Sequence, residues 1–360
     1  MPGRPAWRGG ARGATLAAVG GLVAVLCGCI RTRTEFVPTL APAVRPAPEV
    51  TEPASARGDA SGPTAIAMRR VDFHVAPAVV LHVRHLGGEL ASVRPGAPVV
   101  VDDPRSFVLR IATADAGLTT ADLGRLLNGY VFAYPGAPLI DLRVSAAGSQ
   151  LRLRGTLRKG GDIRFDIVGA VSATPAGEIR VHPTTIRVAR VSAAPLLRLV
   201  GLTLERLIDL RGSRGARVAG NDIYLQPDSI LPPPRIRGHV TAARVERDEV
   251  RLTFDAPSLA PSAAAAAHPP DSTSNWVYFR HGTVQIGRLF MVDTDLELVD
   301  DAPADPFDFS LDAYRRQLVA GTTKNTPDGG LIVHAPDLRI VDQARPTAVI
   351  AKPAAGSTPQ

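Results

Sequence analysis

After Cys29 there is no cysteine in this chain. The body of the protein therefore has no disulfide framework and no thiolate metal site, and its stability must come from packing. Aromatic residues are scarce, at 5% of 360 residues, and no Lys/Arg cluster is interleaved with them. The formal charge is +7, and setting aside Arg4, Arg8 and Arg12 of the leader leaves about +4. So mild a basic bias excludes a nucleic-acid reading. The longest apolar run, Ala14 to Leu26, is 13 residues, short of the roughly 20 that a relaxed transmembrane helix needs. There is no Gly-x-Ser-x-Gly elbow, Walker loop, dinucleotide glycine fingerprint or His-Glu-x-x-His pair. Asp222 and Asp228 have no neighbouring His or nucleophile with which to form a relay. No cofactor and no enzymatic chemistry are expected.

What is present begins with a leader. An acid-free n-region precedes the apolar run, which ends in Leu26-Cys27-Gly28-Cys29. That step resembles a bacterial lipobox, with Cys27 where Ala or Ser is usual. It predicts a signal peptide over 1–28 and acylation at Cys29, hence anchorage in the cell envelope facing the periplasm; the alternative is an ordinary signal peptide or a signal anchor. Ile30 in place of an aspartate leans toward the outer membrane. Residues 29–66, rich in Pro, Ala and small polar residues, read as a disordered tether.

A main β-rich domain is expected over 67–255. MRRVDFHV, VVLHVRHLGGELASV and SFVLRIATAD alternate as strands do. His74, His82 and His85 carry no neighbouring Cys or carboxylate at ligand spacing, and His82 and His85 would face opposite sides of a strand. No metal site is expected there. Thr119 or Thr120 caps a short helix bearing Leu123, Leu126 and Leu127, and the aromatic run Tyr130, Phe132, Tyr134 follows, as core packing or as the lining of a ligand cavity.

Then comes a ladder with period two: Leu142 and Val144, Leu151 and Leu153, Ile163, Phe165 and Ile167, Ile179 and Val181, Ile186 and Val188. Gly148, Gly160-Gly161 and Gly177 mark the turns of an antiparallel meander. Arg143, Arg152, Arg154, Arg158, Arg164, Arg180 and Arg187 occupy its other face, which reads as a wet, basic surface or one that leans on anionic headgroups. Ser192 opens a predicted long helix, Ala193 to Leu210, with a broad apolar stripe to cover the dry face. A low-complexity loop over 256–275, a C-terminal β/α segment over 276–342 and a disordered tail from 343 complete the expected layout. The acidic run from Asp293 to Asp308 lacks calcium-loop spacing and reads as a surface edge.

The expected fold class is α+β: a long curved antiparallel meander covered by one long and two short helices. Two stretches carry a family resemblance. The entry helix ending in Leu126-Leu127-Asn128, the Gly-punctuated meander and the apolar helix against it resemble bacterial relatives of the tubular lipid-binding (TULIP) superfamily, the LmeA-like periplasmic proteins in particular. Gly282–Asp300 is similar to strand units of AsmA-type envelope proteins. Together these cover about residues 68–255 and 276–300. The resemblance implies an apolar tunnel for phospholipid acyl chains and no chemistry of its own. Leu126, Leu127, Tyr130, Phe132, Leu196, Val200, Leu204, Leu207 and Ile208 are the expected groove residues. Three readings stand: a non-catalytic envelope lipoprotein carrying a phospholipid or other apolar ligand, a structural lipoprotein with a packed core that meets an envelope protein partner, and a hydrolase with a dispersed active site.

Overall fold

The computed structural model describes residues 62–159, 161–188, 191–192, 203–256 and 275–343. The leader, Cys29, most of the tether, Leu196, Val200, most of the 256–275 loop and nearly all of the tail lie outside the described residues, as does the side chain of Leu207. All of the described residues belong to one compact unit, Pro53–Gln360.

Strand occupies 56% of the described chain and helix 13%. The chain opens with β1 (Thr64–Ala76), β2 (Val79–Ser92), β3 (Val99–Val100) and β4 (Phe107–Thr119), followed by helix α1 (Thr120–Leu126) and a π-helical turn, Leu127–Val131. The meander is β5 (Leu139–Ala147), β6 (Gln150–Arg158), β7 (Asp162–Ala173) and β8 (Ile179–Val188), with β9 (Val191–Ser192) folded back on β8. Next come α2 (Leu204–Leu207), β10 (Ala216–Ala219), β11 (Asp222–Leu225), α3 (Pro227–Ile230), β12 (Arg235–Arg237), β13 (Val240–Glu246) and β14 (Glu249–Asp255). The last stretch holds β15 (Trp276–Arg280), β16 (Thr283–Ile286), β17 (Leu289–Val292), β18 (Asp295–Asp300), β19 (Phe307–Ser310), α4 (Tyr314–Ala320), β20 (Thr322–Asn325), β21 (Leu331–Ala335) and α5 (Leu338–Gln343).

These strands form three sheets. The largest runs β13-β14-β4-β2-β1-β15-β18-β21-β20, with β12 beside β4 and β19 beside β1. The second runs β10-β11-β8-β7-β6-β5. A small third sheet, β17-β16-β3, stands apart. The two large sheets curve as a half-barrel about a common core, in which Leu109, Leu118 and Phe254 of the first join Leu151, Phe165 and Ile179 of the second. Edge strand β13 packs against β7, and α1 packs against β5, so each closes one flank.

The expected α+β class with a long covering helix is therefore corrected: the protein is mostly β. What covers the meander's dry face is another sheet. The strands that alternate at both ends of the chain supply a second apolar face, and two such faces bury each other as a helix would. Of the predicted helix over Ala193–Leu210, residues 193–202 lie outside the described residues. Within the remainder only Leu204–Leu207 is helical, and Ile208 is already extended at φ −123°, ψ 117°. Ser213 then ties the chain into a turn, its hydroxyl donating to the carbonyls of Leu210 and Ala216.

β1 is the hub of the large sheet. It pairs antiparallel with β2 and β15 and parallel with β19. The C-terminal segment thus completes the main sheet. The alternation of β1 changes phase at Arg70, whose φ is +48°. Ile66 and Met68 before this point, and Val71, Phe73 and Val75 after it, all reach the core. The acidic run is corrected in part: Glu297 and Asp300 are 1% and 2% exposed, inside the sheet and not on a surface edge. The Asn275 amide donates to the Asp300 carboxylate at 2.9 Å, and the Ala302 amide does so at 2.8 Å.

Candidate apolar site between the sheets

On its outer face β4 carries Asp115, which faces Arg251 of β14 and Arg84 of β2. Arg84 in turn forks onto Glu249 at 3.0 and 2.8 Å. The Arg251 guanidinium holds the Asp115 carboxyl below its ordinary range, with Arg84 adding to the effect. This ladder of charges fixes three strands side by side. It leaves their inner faces to hydrocarbon.

On the inner face, β4 presents Leu109, Ile111, Ala114, Ala116 and Leu118. Alanine is small for such a position, and the missing volume appears as a void. A cavity of about 80 Å³ lies between the sheets. Phe73, Val83 and Phe254 wall it on one side, Leu151, Ile179 and Val181 on the other, and Leu126 of α1 and Ile230 of α3 close it. Every residue lining it is apolar or glycine, so it holds no acid, base or hydroxyl that could act on a bound molecule. A second apolar cavity of about 40 Å³ lies toward β15 and β18, lined by Met68, Val277, Phe279 and Leu298. Phe73 and Leu109 line both voids and form the partition between them.

Of the described groove residues expected from sequence, the structure brings only Leu126 to the cavity. Leu127 and Phe132 are buried in the core away from it. Tyr130 is half-buried under the Arg214 guanidinium, 4.6 Å from its ring centre. Tyr134 packs against Gly212, where an added Cβ would come within 2.8 Å of its ring. These aromatics are core and surface packing. Leu204 is buried, while Ile208 borders a separate open groove of about 610 Å³ whose other neighbours include Lys159, Glu205 and Asp209. That groove is polar and unsuited to an acyl chain.

Sequence reasoning passed over the strand residues, Phe73, Leu81, Val83, Ile111, Val250 and Phe254, that make most of the wall. Their alternation was visible, and so were the small residues Ala114 and Ala116. Only the second sheet turns those small residues into a void.

Asn128, noted in the sequence for its place after two leucines, has a positioning role. Its side-chain amide donates to the carbonyls of Gly124 and Leu142 at 2.8 and 2.7 Å, and its oxygen accepts from the Leu142 amide at 2.9 Å. These bonds hold α1 against β5. The helix cap is Thr119, whose hydroxyl accepts from the Asp122 amide at 3.0 Å. His74 pairs with Asp308 at 2.5 Å and His82 with Asp72 at 2.7 Å. Among the described residues no group of His, Cys, Asp or Glu is arranged to hold a metal ion. On the meander's outer face Arg152 forks onto Asp166 and Arg180 bonds Asp222, so part of that basic face is neutralised. No helix among the described residues is long and apolar enough to cross a membrane.

Compared with protein-family models, curated proteins and solved structures, the chain matches none.

Proposed function

We propose that this chain is a non-catalytic lipoprotein of the bacterial envelope, anchored through acylated Cys29, that takes the apolar part of a lipid between its two large sheets. The observation that carries the reading is the all-apolar cavity at Ala114 and Ala116, continued beyond Phe73 and Leu109 by a second one. Hydrocarbon is the only ligand surface such a wall can receive without stranding a polar group. The resemblance to tubular lipid-binding proteins points the same way.

The cavity of about 80 Å³ is smaller than an engineered benzene-binding cavity of about 150 Å³. Entry of an acyl chain therefore requires Phe73 or Leu109 to swing and the sheets to part. The same small volume favours the second reading, a structural lipoprotein whose void is ordinary packing.

Native mass spectrometry of the full chain, purified from a bacterial envelope and compared with Ala116→Leu, separates the two. The larger side chain fills the void at a cost of no more than about 1–3 kcal/mol. A lipid carrier shows a phospholipid adduct that the folded variant lacks. An apo mass in both proteins, unchanged by added phospholipid, overturns the carrier reading.

A further inference from the structure

The small third sheet bears an unprotected apolar edge. In β17, Leu-Phe-Met-Val, alternate residues face outward: Phe290 is 56% exposed and Val292 is 55% exposed. Met291 packs against the core, and its partner Val284 is fully buried. The register places Val100, Gln285 and Phe290 in one row on the outer face, with Thr283 and Val292 in the next. Soluble proteins guard sheet edges with lysine, proline or short polar strands. β20 follows that rule with Thr-Thr-Lys-Asn, all exposed. β17 breaks it.

Its surroundings are basic. Arg288 is exposed in the hairpin turn, and the loop on the other side of β3 adds Arg94 and Arg105 beside Val93, itself 53% exposed. None of these three guanidinium groups has a carboxylate partner among the described residues. Of the neighbouring acids, Asp103 accepts from the Arg105 backbone amide at 3.0 Å and stays exposed, while the other two are engaged. Asp102 accepts from Arg315, from the Tyr314 hydroxyl at 2.6 Å and from the Gly287 amide at 2.8 Å, while Asp293 bonds His281 at 2.9 Å. Through Asp102 the hairpin turn is also fastened to α4, so the exposed edge is held rigidly.

The position of this hairpin matters as much as its composition. Gly282, with φ +63°, stands at its base, and a Cβ there would come within 2.9 Å of the Gly62 carbonyl oxygen. Gly62 is where the described chain begins, at the end of the stretch that leads back to Cys29. The rung Thr283–Val292 is the next one along. The exposed apolar edge and the point where the chain leaves for its anchor therefore adjoin. Even fully extended, the stretch from Cys29 to Gly62 reaches no more than about 120 Å, so an acylated chain keeps this end at high effective concentration beside the bilayer.

We propose that the β16–β17 hairpin is a membrane-docking surface: Phe290 and Val292 enter the interfacial zone of an anionic bilayer while Arg288, Arg94 and Arg105 meet its headgroups. The inference rests on the anchoring reading of Cys29. An amphipathic surface with an aromatic and an aliphatic residue flanked by arginines binds in the plane of the interface, so that the acyl chains hold the protein at the membrane and the hairpin sets its orientation. The domain would then sit hairpin-down.

The test uses the full chain reconstituted in phosphatidylcholine vesicles with and without phosphatidylglycerol. A nitroxide is placed at position 290 (Phe290→Cys) or, as a control on the second large sheet, at position 149 (Ser149→Cys). Collisional access to oxygen against a water-soluble nickel chelate reports depth. The expected result is about tenfold lower chelate access at 290 than at 149 when phosphatidylglycerol is present. With the label moved to position 292, Phe290→Asp should lose that protection. Arg288→Gln should lose its dependence on phosphatidylglycerol. Equal chelate access at both sites in anionic vesicles overturns the docking surface. So does protection at 290 that appears without vesicles and grows with protein concentration, which would mark a contact between copies. The intact mass of the same preparation is read separately: an unacylated Cys29 removes the anchor, and the proposal falls with it.

Discussion

Single residues of β4 set both the charge ladder and the void. Ala116 faces inward and leaves space, while Gly117 faces outward with no room to spare. A Cβ on Gly117 would overlap the Glu249 carboxylate, which Arg84 holds by both nitrogens. Gly117→Ala should therefore break that fork and lower stability by about 1–3 kcal/mol, read from urea unfolding. Glu249→Ala in the same background should add little further loss, because the fork is already gone. If Gly117→Ala alone is neutral, the fork does not hold the three strands together. The sequence showed both small residues but not their different reasons. A small residue in a strand reads as weak propensity until the neighbour it accommodates is known.

At the scale of elements, alternation made the meander legible, because a strand with one dry face writes that face into every second residue. It named the dry face and left its cover unnamed. The leucines around 204–210 looked sufficient for a helical cover, yet Ile208 is extended and the cover is a sheet whose strands come from both ends of the chain. Non-local pairings such as β12 on β4 and parallel β19 on β1 leave no local mark, since each strand's pattern is the same whichever partner it finds. The candidate site suffered for the same reason: its walls are strands that meet only in the tertiary fold, and among the described residues lining it Leu126 alone was chosen from sequence. One residue with a distinct element-level role is Asn128, in the π-helical turn after α1. Asn128→Ala leaves the Leu142 amide and two carbonyls without that partner and should cost roughly 1–2 kcal/mol. The loss should appear as faster hydrogen exchange in α1 and at the start of β5. Uniform exchange across the domain would show that α1 does not depend on this contact.

For the whole molecule, paired ions set the response to pH. Asp102, Asp115, Asp166, Glu178, Asp222 and Asp308 are all held below their ordinary range, Asp102 down to about 2 by its bond to Arg315. A carboxylate depressed in the folded state adds stability above its unfolded value, near 3.8 for Asp102, and that addition is lost as pH falls toward 2. Asp337 opposes the trend: burial raises it, so acid relieves a cost. His82, raised by its hydrogen bond to Asp72, adds stability fully below 6.5 and loses it as pH climbs through the raised folded value. The thermal midpoint should thus be highest on the mildly acidic side of neutrality and fall steeply below about pH 4. Asp102→Asn should start lower and fall less between pH 4 and 2, in line with the Asp102 value of about 2. A variant that tracks the parent curve in parallel would remove Asp102 from the acid limb.

The hub position of β1 also dictates a timetable. The first strand made is the one that the last strands must join: His74 waits for Asp308, 234 residues later. Until β15 and β19 are synthesised, one long side of β1 has no neighbour. Contacts this distant in sequence make folding slow. A nascent chain wired in this way can build its meander early, but its largest sheet stays open along β1 until the final quarter of the sequence arrives.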